Sequence, residues 1–269
     1  MLDTLLRPDW RYWRVYVPDL PSVTRLLNDV VRPVVADHRD SVRRWFFLQY
    51  MDMSGLQLRV RLRAEPASAA VVEAELDRRF AERAAEVVKR WYEPELAKFR
   101  GSDGVEFAER VAHLGSDTAL QLLPGRASAH RITQAAAHTA AIVEGLPADQ
   151  RVSFLHQYAW YWSGRGARTV AWRPAAATAH PDDPAAVRQA GRLADSVAGA
   201  LATDHVGKPL LTYAERFWTE YRESARRVSP YRAAFQHVHL MNNRLGAVPG
   251  EEAQIARLLW VRRLRSISN

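Results

Sequence analysis

The densest group of side chains able to move protons or bind polar ligands lies between residues 237 and 246. The segment reads HVHLMNNRLG and brings together two imidazoles, two carboxamides and a guanidinium. His239 is the candidate acid or base, because a free imidazole, with a pKa of about 6.5, donates and accepts protons near neutral pH. The competing interpretation is a buried histidine bonded to the backbone.

The neighbours of His239 favour supporting roles. His237 is two residues away and falls on another side of a strand or helix, so the pair does not predict a metal site. Asn242, Asn243 and Arg244 are expected to cap or pin the segment. Asn243 is also kept as a candidate substrate contact.

A second group of candidates is aromatic and reads FLHQYAWYWSGR from residue 154. Read as a helix, it has one side with His156, Trp160 and Ser163 and another with Tyr158, Tyr161 and Trp162. Most of these rings are expected to be core. Because aromatic walls with a few hydroxyl groups also suit flat apolar ligands, the segment is a candidate pocket as well.

Two short segments near the N-terminus, WFFLQY and LQLRVRLR, predict a β-hairpin. The second strand alternates between an apolar face with Leu56, Leu58, Val60 and Leu62 and a polar face with Gln57, Arg59, Arg61 and Arg63. Arg59 and Arg61 could line a cleft and hold peptide carbonyls or an acidic leader; the alternative is a solvated strand face with salt bridges. Gln49 alternates with Trp45 and Phe47, so it is expected among aromatics, as a core amide or as a substrate hydrogen-bond donor.

The elements that must position these side chains are early strands followed by many helices, which predicts an α+β domain. Residues 10–17 suit an internal strand. A helix opens at Pro21 and should kink or end at Pro33. Further helices are predicted near 69–91, 104–122, 131–145, 150–163, 185–203, 209–227 and 251–264. Residues 175–184 (AAATAHPDDP) are expected to form a loop, as a lid or a boundary.

Composition excludes several classes of protein. The 269 residues are 48% hydrophobic, which is ample for a buried core. There is no cysteine, so disulfides, thiolate metal sites and cysteine nucleophiles are excluded. With no signal segment and no apolar run of about 20 residues, a cytoplasmic protein without a membrane span is expected. No glycine-rich phosphate loop, metal constellation or nicotinamide fingerprint is present, so no cofactor is expected.

The net charge of +8 and the pI near 10.1 favour an acidic partner. The arginines are spread through the chain, and no zinc-finger, RNP or helix-turn-helix signature accompanies them, so binding to duplex nucleic acid is disfavoured. An arginine-rich composition inherited from a high-GC genome is the simpler alternative.

Four blocks of sequence resemble one known family. They are WFFLQYMDMSGLQLRVRLR, WYEPELAKFRG, EFAERVAHLGSDTAL and HVHLMNNRLG. In their order and spacing they resemble the C-terminal-type domain of lanthipeptide dehydratases, which also occurs alone in thiopeptide biosynthesis. The likeness covers nearly the whole chain and implies a single thiopeptide-type biosynthesis domain over residues 1–269.

The resemblance implies one of two activities. In dehydratases this domain eliminates glutamate from glutamylated Ser or Thr. In thiopeptide pathways it joins two dehydroalanines by a formal [4+2] aza-cycloaddition and aromatises the ring to a pyridine, expelling water and the leader peptide. Because the likeness begins within ten residues of Met1, a fused glutamylating region is not expected, although a split elimination subunit stays open.

Two departures from the elimination pattern favour the pyridine synthase. The elimination pattern has arginine and histidine where this chain has Gln49 and Gln57. Losing each charged group would remove a few kcal/mol of transition-state stabilisation from an elimination. Cycloaddition instead needs an amide in its iminol form and two alkenes within about 3.5 Å. We therefore expect both glutamines to line one pocket shaped for joining alkenes. An inactive leader-binding scaffold would show the same two glutamines.

The remaining roles follow from the resemblance. His239 matches the C-terminal histidine of the family, and Arg59 matches a retained arginine. On the synthase interpretation Tyr158 or Tyr161 donates a proton to an amide oxygen, Ser163 assists, and Trp162 is an aromatic wall. The implied partner is a modified precursor peptide with an acidic leader, attracted by the positive charge. Neither nucleic acid nor a membrane is an expected partner, and the resemblance allows a homodimer.

Overall fold

The computed structural model describes residues 9–84, 86–123, 128–163, 180–224 and 228–268. The chain divides into two compact units, unit 1 (residues 1–123) and unit 2 (residues 124–269), each of which is described by itself. The expectation of a single domain over residues 1–269 stays a prediction.

Unit 1 contains the β-sheet. Its strands are β1 (Trp10–Val17), β2 (Val42–Asp52), β3 (Gly55–Ala64) and β4 (Glu86–Arg90). Its helices are α1 (Leu20–Leu26), a π-helical turn (Leu27–Val31), α2 (Arg32–Asp37), α3 (Ala69–Ala81), α4 (Leu96–Phe99) and α5 (Ser102–Leu122). The strand order is β2-β3-β1-β4, and every neighbouring pair is antiparallel. The internal position of β1 and the hairpin of β2 and β3 are both confirmed.

The two faces of the sheet have different characters. Alternation along the strands puts Trp13, Phe47 and Val60 on one face, where all three are fully buried. Helix α3 contributes to this core, with the ring of Phe80 centred 6.2 Å from that of Trp13. The opposite face carries the polar residues of β3 together with tyrosines of β1 and β2.

Helix α5 covers the outer edge of β2. The backbone N–H of Phe47 donates to Ser116 Oγ at 3.1 Å, and Trp45 Nε1 donates to Asp117 Oδ1 at 2.9 Å. Side chains of the helix thus satisfy groups that an edge strand would otherwise present to solvent or to another strand. Helix α5 therefore anchors β2, the strand that pairs with β3.

One expectation for unit 1 needs correction, and the expected kink or end at Pro33 is shown to be a local distortion. The helix predicted to reach residue 91 ends at Ala81, and residues 86–90 form β4 instead, because Val87 and Val88 favour a strand and the segment pairs with β1. Pro33 does not end its helix. It is the second residue of α2, and the distortion is taken up by the π-helical turn just before it.

The regular elements described in unit 2 are all helices. Its helices are α6 (Ser128–Glu144), α7 (Ala148–Trp162), α8 (Pro184–Leu201), α9 (Gly207–Ser224), α10 (Pro230–Arg244) and α11 (Pro249–Ser268). Helix α11 packs against α6, α7 and α8. The α+β class, with an early antiparallel sheet and many helices, is confirmed for the described chain. No described helix combines the length and apolar character that crossing a bilayer requires.

The helix predictions for unit 2 were correct except at α10. Ser229 is the N-cap of that helix, and its side chain accepts a hydrogen bond from the N–H of Arg232. Pro230 is the first helical residue, a position that proline suits. Its many polar residues hide the apolar period. The end of the helix predicted over 209–227 lies outside the described residues beyond Ser224. The predicted loop 175–184 is described only from residue 180, where a turn leads to Asp183, the N-cap of α8.

Candidate active site

His239 lies on α10 with one ring nitrogen bonded and the other open. Its Nδ1 is 2.9 Å from Oε1 of Glu252, at the start of α11. The indole of Trp162 stacks on the imidazole, with centroids 4.0 Å apart and planes 18° from parallel. The side chain is 26% exposed, and Nε2 has no hydrogen-bond partner in the described part of the chain. Glu252 and Trp162 therefore hold the imidazole in place, and its Nε2 side is accessible.

Glu252 is a fully buried carboxyl group with both oxygens engaged. Its Oε2 accepts a hydrogen bond from the hydroxyl of Tyr158, which is itself fully buried on α7. Burial raises the pKa of Tyr158 well above its ordinary value, and the nearby charge of Glu252 raises it further. Tyr158 therefore stays protonated and is a donor to Glu252. Its predicted role as the proton donor to substrate stays untested.

Helices α10 and α11 place His239 and Glu252 for reasons visible in the chain. His239 lies between the buried positions Val238 and Met241 on α10, so it falls at the margin of the core. Glu252 is in the first turn of α11, where the partial positive charge of the helix N-terminus stabilises a carboxylate. Ile255 continues the buried side of the same helix.

An aromatic surface adjoins His239. Tyr161 is 46% exposed, and its ring is 4.9 Å from Trp162 and 5.3 Å from Phe235, edge to face in both cases. The Tyr161 hydroxyl makes no hydrogen bond within the described ranges. Rings held in this way form a rigid wall that a flat ligand can contact. Tyr161, Trp162 and His239 thus lie next to one another, and their roles toward substrate stay predictions.

Ser163 and Asn243 lie at the ends of their helices. Ser163 Oγ donates to the carbonyl of Trp160 at 2.8 Å, in the last turn of α7. Asn243 follows His239 by one helical turn and is half-buried, and its carbonyl accepts from the N–H of Gly246 at 2.9 Å. Their proposed roles toward substrate stay predictions. Gly164, which follows Ser163, lies outside the described residues.

Asn242 pins α10 to α6. Its Oδ1 is 3.0 Å from Nδ1 of His138, and its Nδ2 donates to the hydroxyl of Thr139 at 3.1 Å. His138 is fully buried, and burial lowers its pKa from 6.5 to about 4. This network fixes the helix that carries His239, as the sequence suggested for Asn242. His237 instead packs against Phe217, with ring centroids 5.6 Å apart, on a different side of α10 from His239.

A second candidate group lies on the polar face of β3 in unit 1. The amide of Gln57 is fully buried; Nε2 donates to Asp52 Oδ2 at 2.5 Å, and Oε1 accepts from Arg59 Nε at 3.1 Å. The Arg59 guanidinium also lies 3.5 Å from the centre of the Tyr50 ring. Gln57 and Arg59 are consequently held in one fixed arrangement.

Arg61, the next residue on that face, is placed differently. Its guanidinium carbon lies 4.2 Å from the ring centre of Tyr12, 5.2 Å from that of Tyr92 and 5.3 Å from that of Phe46. Its Nε and Nη1 are buried and make no hydrogen bond, and it forms no ion pair with any described residue. Burial lowers the pKa of Arg61. The side chain is held by cation–π contacts and leaves donor groups unused.

The two glutamines do not share a pocket. Gln49 is opposite Leu58 in the hairpin register and shares the core face of the sheet with Trp45 and Phe47, as its alternation predicted. Gln57 belongs to the other face. The expectation that both amides line one pocket is therefore wrong. Gln49 shares the face of its partner Leu58, and Gln57, the residue before Leu58, points to the opposite face. The role of each glutamine as a substrate contact stays a prediction.

Sequence reasoning missed several partners in these two groups. Glu252 was not among the predicted site residues. Its signal was available: an acidic residue in the first turn of a helix, followed by the apolar residues Ala253, Ile255 and Ala256. Asp52 and the rings around Arg61 come from separate segments, and no local pattern links them. Among the described residues no group of three His, Asp or Glu side chains is placed to hold a metal ion.

Comparison with known proteins gives the family. The sequence model for the C-terminal region of lantibiotic biosynthesis dehydratases matches residues 10–263, so the chain belongs to that family. No curated protein matched the chain in the corresponding search.

Three solved structures share the fold. The tRNA-dependent lantibiotic dehydratase MibB from Microbispora sp. 107891 has 23% identity and a TM-score of 0.61, over 97% of this chain and 29% of MibB. The chain thus spans less than a third of that enzyme. TbtD, a pyridine synthase from thiomuracin biosynthesis, has 16% identity and a TM-score of 0.67, over 96% of this chain and 99% of TbtD. TsrL has 13% identity and a TM-score of 0.58, over 96% and 94% of the two chains.

Proposed function

We propose that this protein is a thiopeptide pyridine synthase. It would join two dehydroalanines of a leader-bearing peptide by a formal [4+2] aza-cycloaddition and aromatise the ring with loss of water and the leader. Membership of the family and a fold match along nearly the whole length of TbtD support this activity. On this proposal residues 1–269 act as one cytoplasmic biosynthetic domain whose positive charge attracts an acidic leader.

The observation that carries the proposal is the buried, hydrogen-bonded carboxamide of Gln57. Its carboxamide is buried between Asp52 and Arg59, both of which it bonds. It is therefore a fixed neutral group in the position where the elimination pattern has a histidine. A carboxamide cannot accept the α-proton that glutamate elimination must remove, whereas cycloaddition places no such demand there.

His239 is suited to the proton transfers of the synthase reaction. One amide must pass its N–H proton to its own oxygen before the 2-azadiene exists, and later the departing water and leader amide need protons. An imidazole with an accessible Nε2 can accept the first proton and return it to the oxygen. The flat surface of Trp162 and Tyr161 suits azole and alkene groups.

Arg61 supports a second candidate function. A guanidinium with two buried nitrogens that make no hydrogen bond is a fitting partner for a carboxylate, and a glutamyl group carries one. This observation favours a glutamate-elimination subunit of a split dehydratase. On the synthase proposal the same donors hold a peptide carbonyl or an acidic side chain of the leader.

Replacing Arg61 by Gln should weaken binding of the precursor peptide about 10- to 100-fold, since a hydrogen bond to a charged group contributes about 1.5–3 kcal/mol. Fluorescence anisotropy with a labelled peptide measures the affinity. Arg63→Gln is the matched control, because Arg63 is on the same face and already pairs with Asp9 at 2.5 Å. Equal losses in both variants would show that general charge, and not the unpaired donors of Arg61, binds the peptide.

Mass spectrometry of two parallel reactions tests the proposed function. One contains a linear azole- and dehydroalanine-bearing peptide with its leader, and the other a glutamylated peptide. Loss of water and leader from the first supports the synthase, and loss of glutamate from the second supports the lyase. Binding of the first peptide without any change in its mass would leave a leader-binding scaffold and exclude the synthase.

A further inference from the structure

We propose that Glu252 is a positioning residue that fixes the proton of His239 on Nδ1, so that Nε2 is the nitrogen that exchanges protons with the substrate. The role in turnover rests on the proposed synthase function. The state of the imidazole does not, because it follows from contacts inside unit 2.

The hydrogen bonds around Glu252 determine which imidazole nitrogen carries the proton. An ionised carboxylate only accepts hydrogen bonds, and Oε1 of Glu252 is 2.9 Å from Nδ1 of His239. Nδ1 must therefore carry a hydrogen. A neutral imidazole has a single N–H, which leaves Nε2 with its lone pair free. The open side of the ring then presents a base to solvent or substrate.

Two features besides His239 surround the buried carboxyl group of Glu252. The Tyr158 hydroxyl donates to Oε2, and the first turn of α11 surrounds the group with the partial positive charge of a helix N-terminus. Tyr158 thereby acts on His239 indirectly, because it holds the carboxylate that bonds the imidazole. Its raised pKa agrees with a hydroxyl that keeps its proton.

Trp162 fixes the remaining freedom of the imidazole. The indole is stacked on the ring with centroids 4.0 Å apart, so turning the imidazole out of its plane would lose the stacking, and a half-turn within the plane would lose the bond to Glu252. A carboxylate that holds one nitrogen of a histidine sets both its tautomer and its orientation, the arrangement on which many acid–base sites depend. The nitrogen left over is the reactive one.

Nitrogen NMR of the imidazole tests the inference without any substrate. The protein is labelled with ¹⁵N-histidine, and the signals of His239 among the nine histidines are assigned by their loss in His239→Asn. The wild type is expected to show Nδ1 protonated and Nε2 unprotonated in the neutral ring. In Glu252→Gln the amide N–H₂ can donate to Nδ1, so the proton should move to Nε2.

Two control variants separate positioning from general packing. Tyr158→Phe removes a hydroxyl but keeps the carboxylate, so the Nδ1–H form should persist. Glu251→Gln changes the neighbouring carboxylate, which bonds Arg131 instead, and should leave the His239 signals unchanged. A wild-type ring protonated on Nε2 would overturn the proposal, as would a Glu252→Gln spectrum identical to that of the wild type. The wild-type result is decisive even if a variant does not fold.

Turnover gives the second readout. Glu252→Gln should lower kcat for ring closure about 100-fold with little change in KM, since Glu252 is fully buried behind His239 and Tyr158. Glu251→Gln should keep the wild-type rate. If the wild type closes no ring, the synthase function fails while the NMR result still decides the role of Glu252. A normal kcat in Glu252→Gln would contradict the positioning role.

Discussion

Replacing His239 by Asn is expected to lower the rate of pyridine formation by about 10²- to 10⁴-fold, the range over which a positioned acid or base contributes. The substitution is chosen to preserve structure. The side-chain N–H₂ of asparagine can donate to Glu252 as Nδ1 does, so the buried carboxylate keeps its partner. Nothing then occupies the place of Nε2, and proton transfer through that atom stops. Single-turnover assays with a dehydroalanine peptide measure the rate.

His180→Asn is the matched control for this prediction. His180 is exposed in the turn before α8, where its Nδ1 is 3.4 Å from Oδ2 of Asp182. Its substitution should leave the rate and the peptide affinity unchanged. A His239→Asn protein that binds the peptide and turns it over at the wild-type rate would remove His239 from the reaction.

Stability is expected to fall in acid because of His138, by about 3 kcal/mol between pH 6.5 and pH 4. In the folded protein burial lowers the pKa of His138 from 6.5 to about 4. Between these values the unfolded chain binds a proton that the folded protein does not, so lowering the pH favours unfolding. The contribution is fully present above pH 6.5 and is lost as the pH falls toward 4.

Denaturant titrations at several pH values, on the wild type and on His138→Asn, measure this contribution. The Asn side chain can still donate to Oδ1 of Asn242, as Nδ1 of His138 does, but it does not titrate. The variant is expected to be less stable at pH 7 and to lose less stability on acidification. The difference between the two slopes isolates His138 from the carboxyl groups that both proteins share. Parallel pH profiles would show that His138 is accessible to protons in the folded state.

Much of the sheet could be predicted because its signals are local. The strict alternation of β3 and the aromatic run of β1 each determine one element, and Gly55 marks the hairpin turn. Strand β4 was not predicted, because its five residues, with charges at both ends, resemble the end of a helix. Only the pairing with β1 shows that they form a strand. Pairing between strands distant in sequence is a property of the fold, and no local window contains it.

The candidate site was predictable in its residue types and not in its connections. His239, Tyr161 and Trp162 were found because imidazoles and aromatic clusters are conspicuous in a sequence. Glu252 was not, since only the packing of α11 shows that this acid is buried against an imidazole. The side of the sheet to which Gln49 and Gln57 each point could not be predicted either. Register alone puts them on opposite sides of one sheet.

The most direct test of the synthase function is the mass of the leader fragment released from a dehydroalanine-bearing precursor. Ring aromatisation transfers the nitrogen of the broken bond to the leader, so the wild type should release a leader that ends in a carboxamide, together with a macrocycle lighter by one water. Release of a leader ending in a carboxylate, or glutamate as the only small product, would contradict a pyridine synthase.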